Sequence, residues 1–457
     1  MKETKRRMER LSFYDHTGIA AHMEKMAAKG WMLDKIGTYL WHYRRIEPRR
    51  LAFAVSYYPK ASQFDPCPSE GELTFHDFCE QTGWKLAASS AQLQVFYNER
   101  EDPIPIETDP ATEVDTLHRA ARRGFLPAYF LLLAAALLMG WTFIGQLLND
   151  PIRLLASPLS LFSGYTWVLL LLVCGVELIA YYRWRAKAKK AAEHGEFLAT
   201  PNTSKFQTVI LVLVLIGLAW WFVNFVRMGS IAWFLAAMLL VPAALIALFL
   251  GVRNLLKRRG APRNLNRGVT LSVYFAAAFV LFGAVIFFGI RAISSGLLEF
   301  SPDTDRFGFL AGDPPLSVAD LMDIDMDGYM TRRGGDESFL LAQYYVYQHT
   351  DWRQDQTAPG LPAMDYTVTE IKLPFLYDVC RETVYHGEMK YAADFGYEFA
   401  ERDPAPWGAN QVWEKVYLDG SYCNRFLLCY DDRIIVIDFG WSPTPEQMAV
   451  VGEKLGV

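Results

Sequence analysis

Residues 125–148 read FLPAYFLLLAAALLMGWTFIGQLL, with no charged side chain, and the class of the whole chain turns on them. A helix rises about 1.5 Å per residue, so roughly 20 apolar residues cross the ~30 Å of hydrocarbon in a bilayer. Four further runs reach that length, at residues 159–182, 206–227, 231–250 and 269–290. A buried bundle of a soluble protein is the competing reading, but ILVLVLIGLAWWFV at 210–223 has no polar face to turn toward water. Five membrane spans are expected.

Outward from the spans the chemistry changes. Residues 1–123 carry 18 Lys+Arg and 18 Asp+Glu, residues 124–293 carry 15 and 4, and residues 294–457 carry 12 and 28. The net charges are 0, +11 and −16, so regions of different character share one chain. The expected domains are 1–115, a small α+β domain with an acidic linker; 116–293, the spans; and 294–457, an acidic α+β domain. Basic residues cluster at Arg119, Arg122 and Arg123, at 183–190 (RWRAKAKK) and at 257–267 (KRRGAPRNLNR). The alternate loops hold only Arg153 and Arg227. Short loops rich in Lys and Arg stay in the cytoplasm, which places the N-terminus inside. With an odd number of spans the C-terminal domain is then extracytoplasmic. The opening MKETKRRMERLSFYDHTG is polar, so no cleavable signal peptide is expected.

In the N-terminal region, residues 17–29 (TGIAAHMEKMAAK) put Ile19, Met23 and Met26 on one helical face. Gly30 supplies a left-handed helix stop, and Trp31 is the apolar partner of the last turn. The alternating stretches IGTYLWHYRRI and LAFAVSYY, joined by Glu47–Arg50, read as a hairpin. The order then repeats. Residues 70–82 place Phe75, Phe78, Cys79 and Thr82 on one face, Gly83-Trp84 follows, and KLAASS and QLQVFYNE form a strand pair. This predicts a duplicated αββαββ domain with a four-stranded antiparallel sheet, in which Gly30, Trp31, Gly83 and Trp84 are structural helix caps and core anchors.

A helix ending AAKGWxL, a strand with YRR, a helix ending GWKL, a strand ending VFYNERED and then a membrane region resemble the bacterial membrane proteins catalogued as domain of unknown function 2812. The resemblance covers residues 10–110. It implies a membrane protein of a bacterial plasma membrane and supplies no catalytic residues.

In the C-terminal region, QVWEKVYL, SYCNRFLLCY and RIIVIDFGW read as a three-stranded meander, with a tight turn at Asp419-Gly420. Thr444, Pro445 and Gln447 match the start of a capped helix. SFLLAQYYVYQH, upstream, is expected to be a helix packed on the sheet. Three outer cysteines indicate no disulfide framework; a Cys423–Cys429 bridge and buried free thiols both stay open.

Candidate chemistry is sparse. Asp323, Asp325, Asp327 and Gly328 match the first half of a calcium loop, but the twelfth position is Gly334 where a bidentate Glu is needed. An acidic, solvated turn is the expectation. Glu177 is the one carboxylate within a predicted span, and an intramembrane charge marks a functional candidate; its nearness to Tyr181 and Arg183 favours pairing near the cytoplasmic face. No phosphate-binding Gly loop, G-x-S-x-G or CxxC occurs. The expectation is a non-enzymatic sensor or regulatory interaction protein without cofactor or nucleic acid, seated in the lipid bilayer, with an extracytoplasmic ligand and a cytoplasmic protein partner. The alternative is a transporter accessory or small permease.

Overall fold

The computed structural model describes residues 3–9, 11–37, 40–100, 102–201, 203–226, 230–294, 313–326, 329–350 and 362–456. The N-terminal region contains β1 (Thr4–Arg7), α1 (His16–Ala28), β2 (Trp31–Ile36), β3 (Trp41–Arg45), β4 (Ala52–Tyr57), α2 (Glu70–Gln81), β5 (Lys85–Ser90), β6 (Leu93–Asn98) and α3 (Pro110–Arg123). There follow α4 (Phe125–Asn149), the short α5 (Pro151–Ala156), α6 (Pro158–Ala192), α7 (Ser204–Val226), α8 (Ser230–Arg258) and α9 (Arg263–Ser294). The C-terminal region holds α10 (Val318–Leu321), β7 (Tyr329–Glu337), β8 (Leu341–Thr350), β9 (Met364–Ile371), α11 (Tyr377–Met389), α12 (Ala392–Phe395), β10 (Tyr397–Arg402), β11 (Gln411–Tyr417), β12 (Tyr422–Cys429), β13 (Arg433–Phe439) and α13 (Pro445–Leu455). Among the described residues, α4, α6, α7, α8 and α9 are the five helices long and apolar enough to cross a membrane.

The chain divides into two compact units. The first gathers Met1–Met139, Thr166–Leu218 and Met238–Val285. Its six strands form two three-stranded antiparallel sheets, ordered β1-β3-β2 and β4-β6-β5, rather than one four-stranded sheet. The expected hairpin between residues 36–46 and 51–58 is absent for a definite reason. β3 is flanked by β1 and β2, and β4 pairs with β6 from Ala52↔Asn98 to Tyr57↔Leu93.

Helix α1 buries Ile19, Met23 and Met26 on its inner face. Helix α2 buries Cys79 and Glu72, while Phe78, placed on the inner face by its spacing, is exposed. Both helices end at a glycine with positive φ, +78° at Gly30 and +91° at Gly83. At Gly83 both bonds of a Schellman motif form, Gly83 N–H to Glu80 O at 2.9 Å and Trp84 N–H to Cys79 O at 2.9 Å. At Gly30 only the inner bond is made, to Ala27 O at 2.9 Å, because Trp31 enters β2 at once and pairs with Arg45. The two tryptophans differ accordingly. Trp84 is buried and donates to Ile104 O at 2.8 Å, whereas Trp31 is half-buried beneath Arg45 and Lys5.

The core of this unit does not stop at the sheets. Val114, Leu117, Ala120 and Ala121 of α3, Phe125 and Leu126 of α4, and Leu178, Tyr181, Trp184 and Ala188 of α6 all belong to it. The N-terminal fold and the ends of the apolar helices are one packed body, so residues 1–115 alone would lose part of their core.

The second unit comprises Gly140–Tyr165, Ala219–Ala237 and Ile286–Val457. Its centre is a seven-stranded antiparallel sheet of order β10-β11-β12-β13-β9-β8-β7. Side chains alternate along each strand. Phe426 and Leu428 of β12 join a core with Val451 and Leu455 of α13, whereas Leu427 and Cys429 join another with Cys380 of α11 and Ile152 and Ala156 of α5. Residues 338–349, expected to be helical, contain most of β8. Ala342, Tyr344, Val346 and Gln348 are buried at every second position, a strand period that suits the β-branched and aromatic run YYVY. Thr444 and Gln447 form a reciprocal capping box at the start of α13, with Pro445 at its first position. Cys423 and Cys429 both lie on β12 and are free. Six residues of strand separate them by about 20 Å, far beyond the ~7 Å reach of a disulfide.

Candidate functional site at Glu177

Helix α6 carries Glu177 in its second half, and the side chain is only 3% exposed. A buried carboxylate requires donors aimed at it. They come from far along the chain. Ser12 donates its hydroxyl to Glu177 at 2.9 Å (Oε1) and 3.0 Å (Oε2), and the Gln207 amide of α7 donates to Oε1 at 3.2 Å. Gln207 also donates to Ser12 Oγ at 2.9 Å, and Thr203 Oγ1 lies 2.8 Å from the same atom.

A second set of bonds lies one turn of chain further on. Asp15 caps α1 by accepting from Gly18 N–H at 2.9 Å and also accepts from Thr200 Oγ1 at 2.5 Å. Thr200 in turn donates its N–H to Thr17 Oγ1 at 3.0 Å. Between the two sets, Tyr14 is fully buried against Phe125, Tyr181 and Trp184, with centroid distances of 5.8, 5.3 and 6.2 Å. Burial, with the charges of Glu177 and Asp15 behind it, pushes the Tyr14 phenol well above its ordinary range. Tyr57 donates to Phe13 O at 2.6 Å. Residues 12–17 (SFYDHT) thus form a strap that fastens α1 and β4 to α4, α6 and the α6–α7 connection.

Charge-assisted and neutral hydrogen bonds from α6, α7 and the α6–α7 connection converge on one serine just before α1. Sequence reading singled out Glu177 but missed Ser12, Tyr14, Asp15, Thr200, Thr203 and Gln207. The signal available was a polar hexapeptide carrying two aromatic residues, just before an amphipathic helix.

The other candidates fall apart in space or take ordinary roles. Tyr329–Glu337 is the strand β7, where a calcium loop would turn into its exit helix, and Asp327 and Gly328 lie outside the described residues. Among the described residues no group of three His, Cys, Asp or Glu is placed to hold a metal ion. His349 pairs with Asp365 at 2.8 Å across the sheet of the second unit. Gly30, Trp31, Gly83 and Trp84 occupy the two helix ends described above and line no shared site.

Residues 16–129 match the family model described as "Protein of unknown function (DUF2812)", which identifies that part of the chain as a domain of this family. The match begins just inside the strap and ends in α4. Comparison with curated proteins and with solved structures found no match.

Proposed function

We propose that this is a multi-pass protein of a bacterial plasma membrane that acts as a non-enzymatic sensor or regulatory interaction protein, with the N-terminal region in the cytoplasm and the C-terminal sheet domain outside. Unit membership supports the sidedness. The first unit combines the N-terminal region with the α6–α7 and α8–α9 connections, and the second combines the C-terminal region with the connections on either side of α5, the end of α7 and the start of α8. Alternate connections sort into alternate units, as five crossings require. The Lys/Arg-rich connections fall in the first unit, in agreement with their cytoplasmic preference.

The observation that carries the signalling reading is the buried Ser12–Glu177–Gln207 junction. A ligand of the outer domain that shifts α6 against α7 would change the bonds on Ser12, and with them the seating of α1. The shift costs only the difference between two hydrogen-bonded arrangements. The test is proximity labelling in intact cells, with a labelling enzyme fused to the N-terminus of the full chain. The reading expects one cytoplasmic protein to be marked reproducibly and its marking to change with Ser12→Ala. Absence of any specific neighbour, together with loss of solute flux on Glu177→Gln, would instead favour the permease reading, which the same buried carboxylate supports.

A further inference from the structure

A cavity of about 570 Å³ opens between the first unit's sheets and the end of α8. Helix α8 contributes Leu250, Arg253, Asn254 and Lys257, spaced at three, four and seven residues and therefore on one face, with Arg258 beside them. Lys35 of β2 lines the opposite wall. Cations lining one cavity repel one another unless an anion lies among them.

The carboxylates that line the cavity are already engaged. Asp65 is held by a two-pronged bond from Arg263, with Nε at 2.5 Å and a terminal nitrogen at 2.6 Å, and accepts Ser62 N–H at 2.8 Å. Glu72 is buried and accepts from Gln94 at 2.7 Å. Arg253, half-buried, donates to the neutral Gln63 at 2.8 Å. Among the described residues Lys35, Arg253, Lys257 and Arg258 make no ion pair. Four cations and two carboxylates therefore line a space that can hold a small ligand, and the cations outnumber the carboxylates by two, with Asp65 already paired to Arg263.

From this we infer that the cavity is a binding site for a phosphate group, with Arg253 and Lys257 as its principal ligands and Lys35 and Arg258 at its rim. Guanidinium and ammonium donors are the usual recognition chemistry for phosphate oxygens. The phosphate has two sources, a lipid headgroup or a small soluble phosphate. Leu250, one turn toward the apolar part of α8, lines the cavity as well and gives a lipid's acyl chain an apolar contact. The site stands independently of the signalling reading.

The full chain, purified in a neutral detergent, distinguishes these sources by its melting temperature. Mixed micelles containing phosphatidylglycerol are compared with phosphatidylcholine micelles, and with glycerol 3-phosphate added to detergent alone. Binding to the folded state raises the melting temperature by mass action, here by about 3 °C or more. A rise with phosphatidylglycerol only assigns a lipid headgroup; a rise with glycerol 3-phosphate as well assigns a soluble phosphate. Either rise must vanish in the Lys257→Gln/Arg258→Gln double variant and persist in Lys187→Gln/Lys189→Gln, whose cations lie on α6 away from the cavity. No rise with phosphatidylglycerol or with glycerol 3-phosphate, or equal loss in both double variants, overturns the site.

Discussion

Replacing Gly30 and Gly83 by alanine separates two costs that the structure makes unequal. Both residues are left-handed, at φ +78° and +91°. Alanine there costs about 1–2 kcal/mol of backbone strain, offset by about 0.4–1 kcal/mol from the stiffer unfolded chain. A net loss near 1 kcal/mol is common to both. The surroundings then differ. A Cβ at Gly83 meets only the Asn98 side-chain amide at 3.2 Å, a contact that a shift of a few tenths of an ångström relieves. A Cβ at Gly30 lies 2.8 Å from the backbone oxygen of Ile46. That stretch is pinned, since Ile46 N–H donates to Gly30 O at 3.0 Å. Forcing them apart adds about 1–2 kcal/mol of overpacking. Gly83→Ala should cost about 1 kcal/mol and Gly30→Ala about 2–3 kcal/mol, or melting-point losses of roughly 4 °C and 10 °C for a unit of this size. Intrinsic tryptophan fluorescence of the full chain in detergent reads the shift. A Gly30→Ala variant within 1–2 °C of wild type, or one more stable than Gly83→Ala, would refute the geometric argument.

Other expectations concern charge. Glu177→Leu leaves the Ser12 hydroxyl and the Gln207 amide without their shared acceptor, a loss of about 1–3 kcal/mol; Glu177→Gln keeps one oxygen and costs less, so equal melting temperatures for the two variants would contradict the junction. In the second unit, burial and the neighbouring Asp438 raise the Asp365 carboxyl, against the pull of His349 and Arg425. A raised acid stabilises the fold when protonated, and that stability is lost as pH climbs from about 3.8 through the raised value. Asp365→Asn should therefore melt higher than wild type at pH 7 and flatten the fall in stability between about pH 4 and pH 7; a lower melting temperature at pH 7 would show the His349 pair to dominate.

How much of this could be read from residues alone depends on the range of the interaction involved. The apolar runs announce five long helices because hydrocarbon length sets a threshold that composition meets directly. Gly30 and Gly83 are legible because only glycine enters the left-handed region cheaply. The Thr444–Gln447 box is legible because its partners are three residues apart. Pairing is not. β4 chooses β6 over its neighbour β3, a long-range choice that alternation cannot specify. β1 (TKRR) has no apolar pattern and forms only because β3 offers an edge. Residues 338–349 hold enough long apolar side chains to suggest a helix, and only the sheet beside them selects the period of two. The junction is least legible, since Ser12 and Glu177 are 165 residues apart and neither carries a local motif.

The claim on which the proposed function depends is that the chain crosses a membrane five times, and a paired topology reporter tests it directly. One reporter is fused after Val457 and a second is inserted at Gly195 in the α6–α7 connection of the full chain. The account predicts extracytoplasmic activity at Val457 and cytoplasmic activity at Gly195. The same sidedness for both would contradict the five-span arrangement and, with it, the passage of a signal through Glu177.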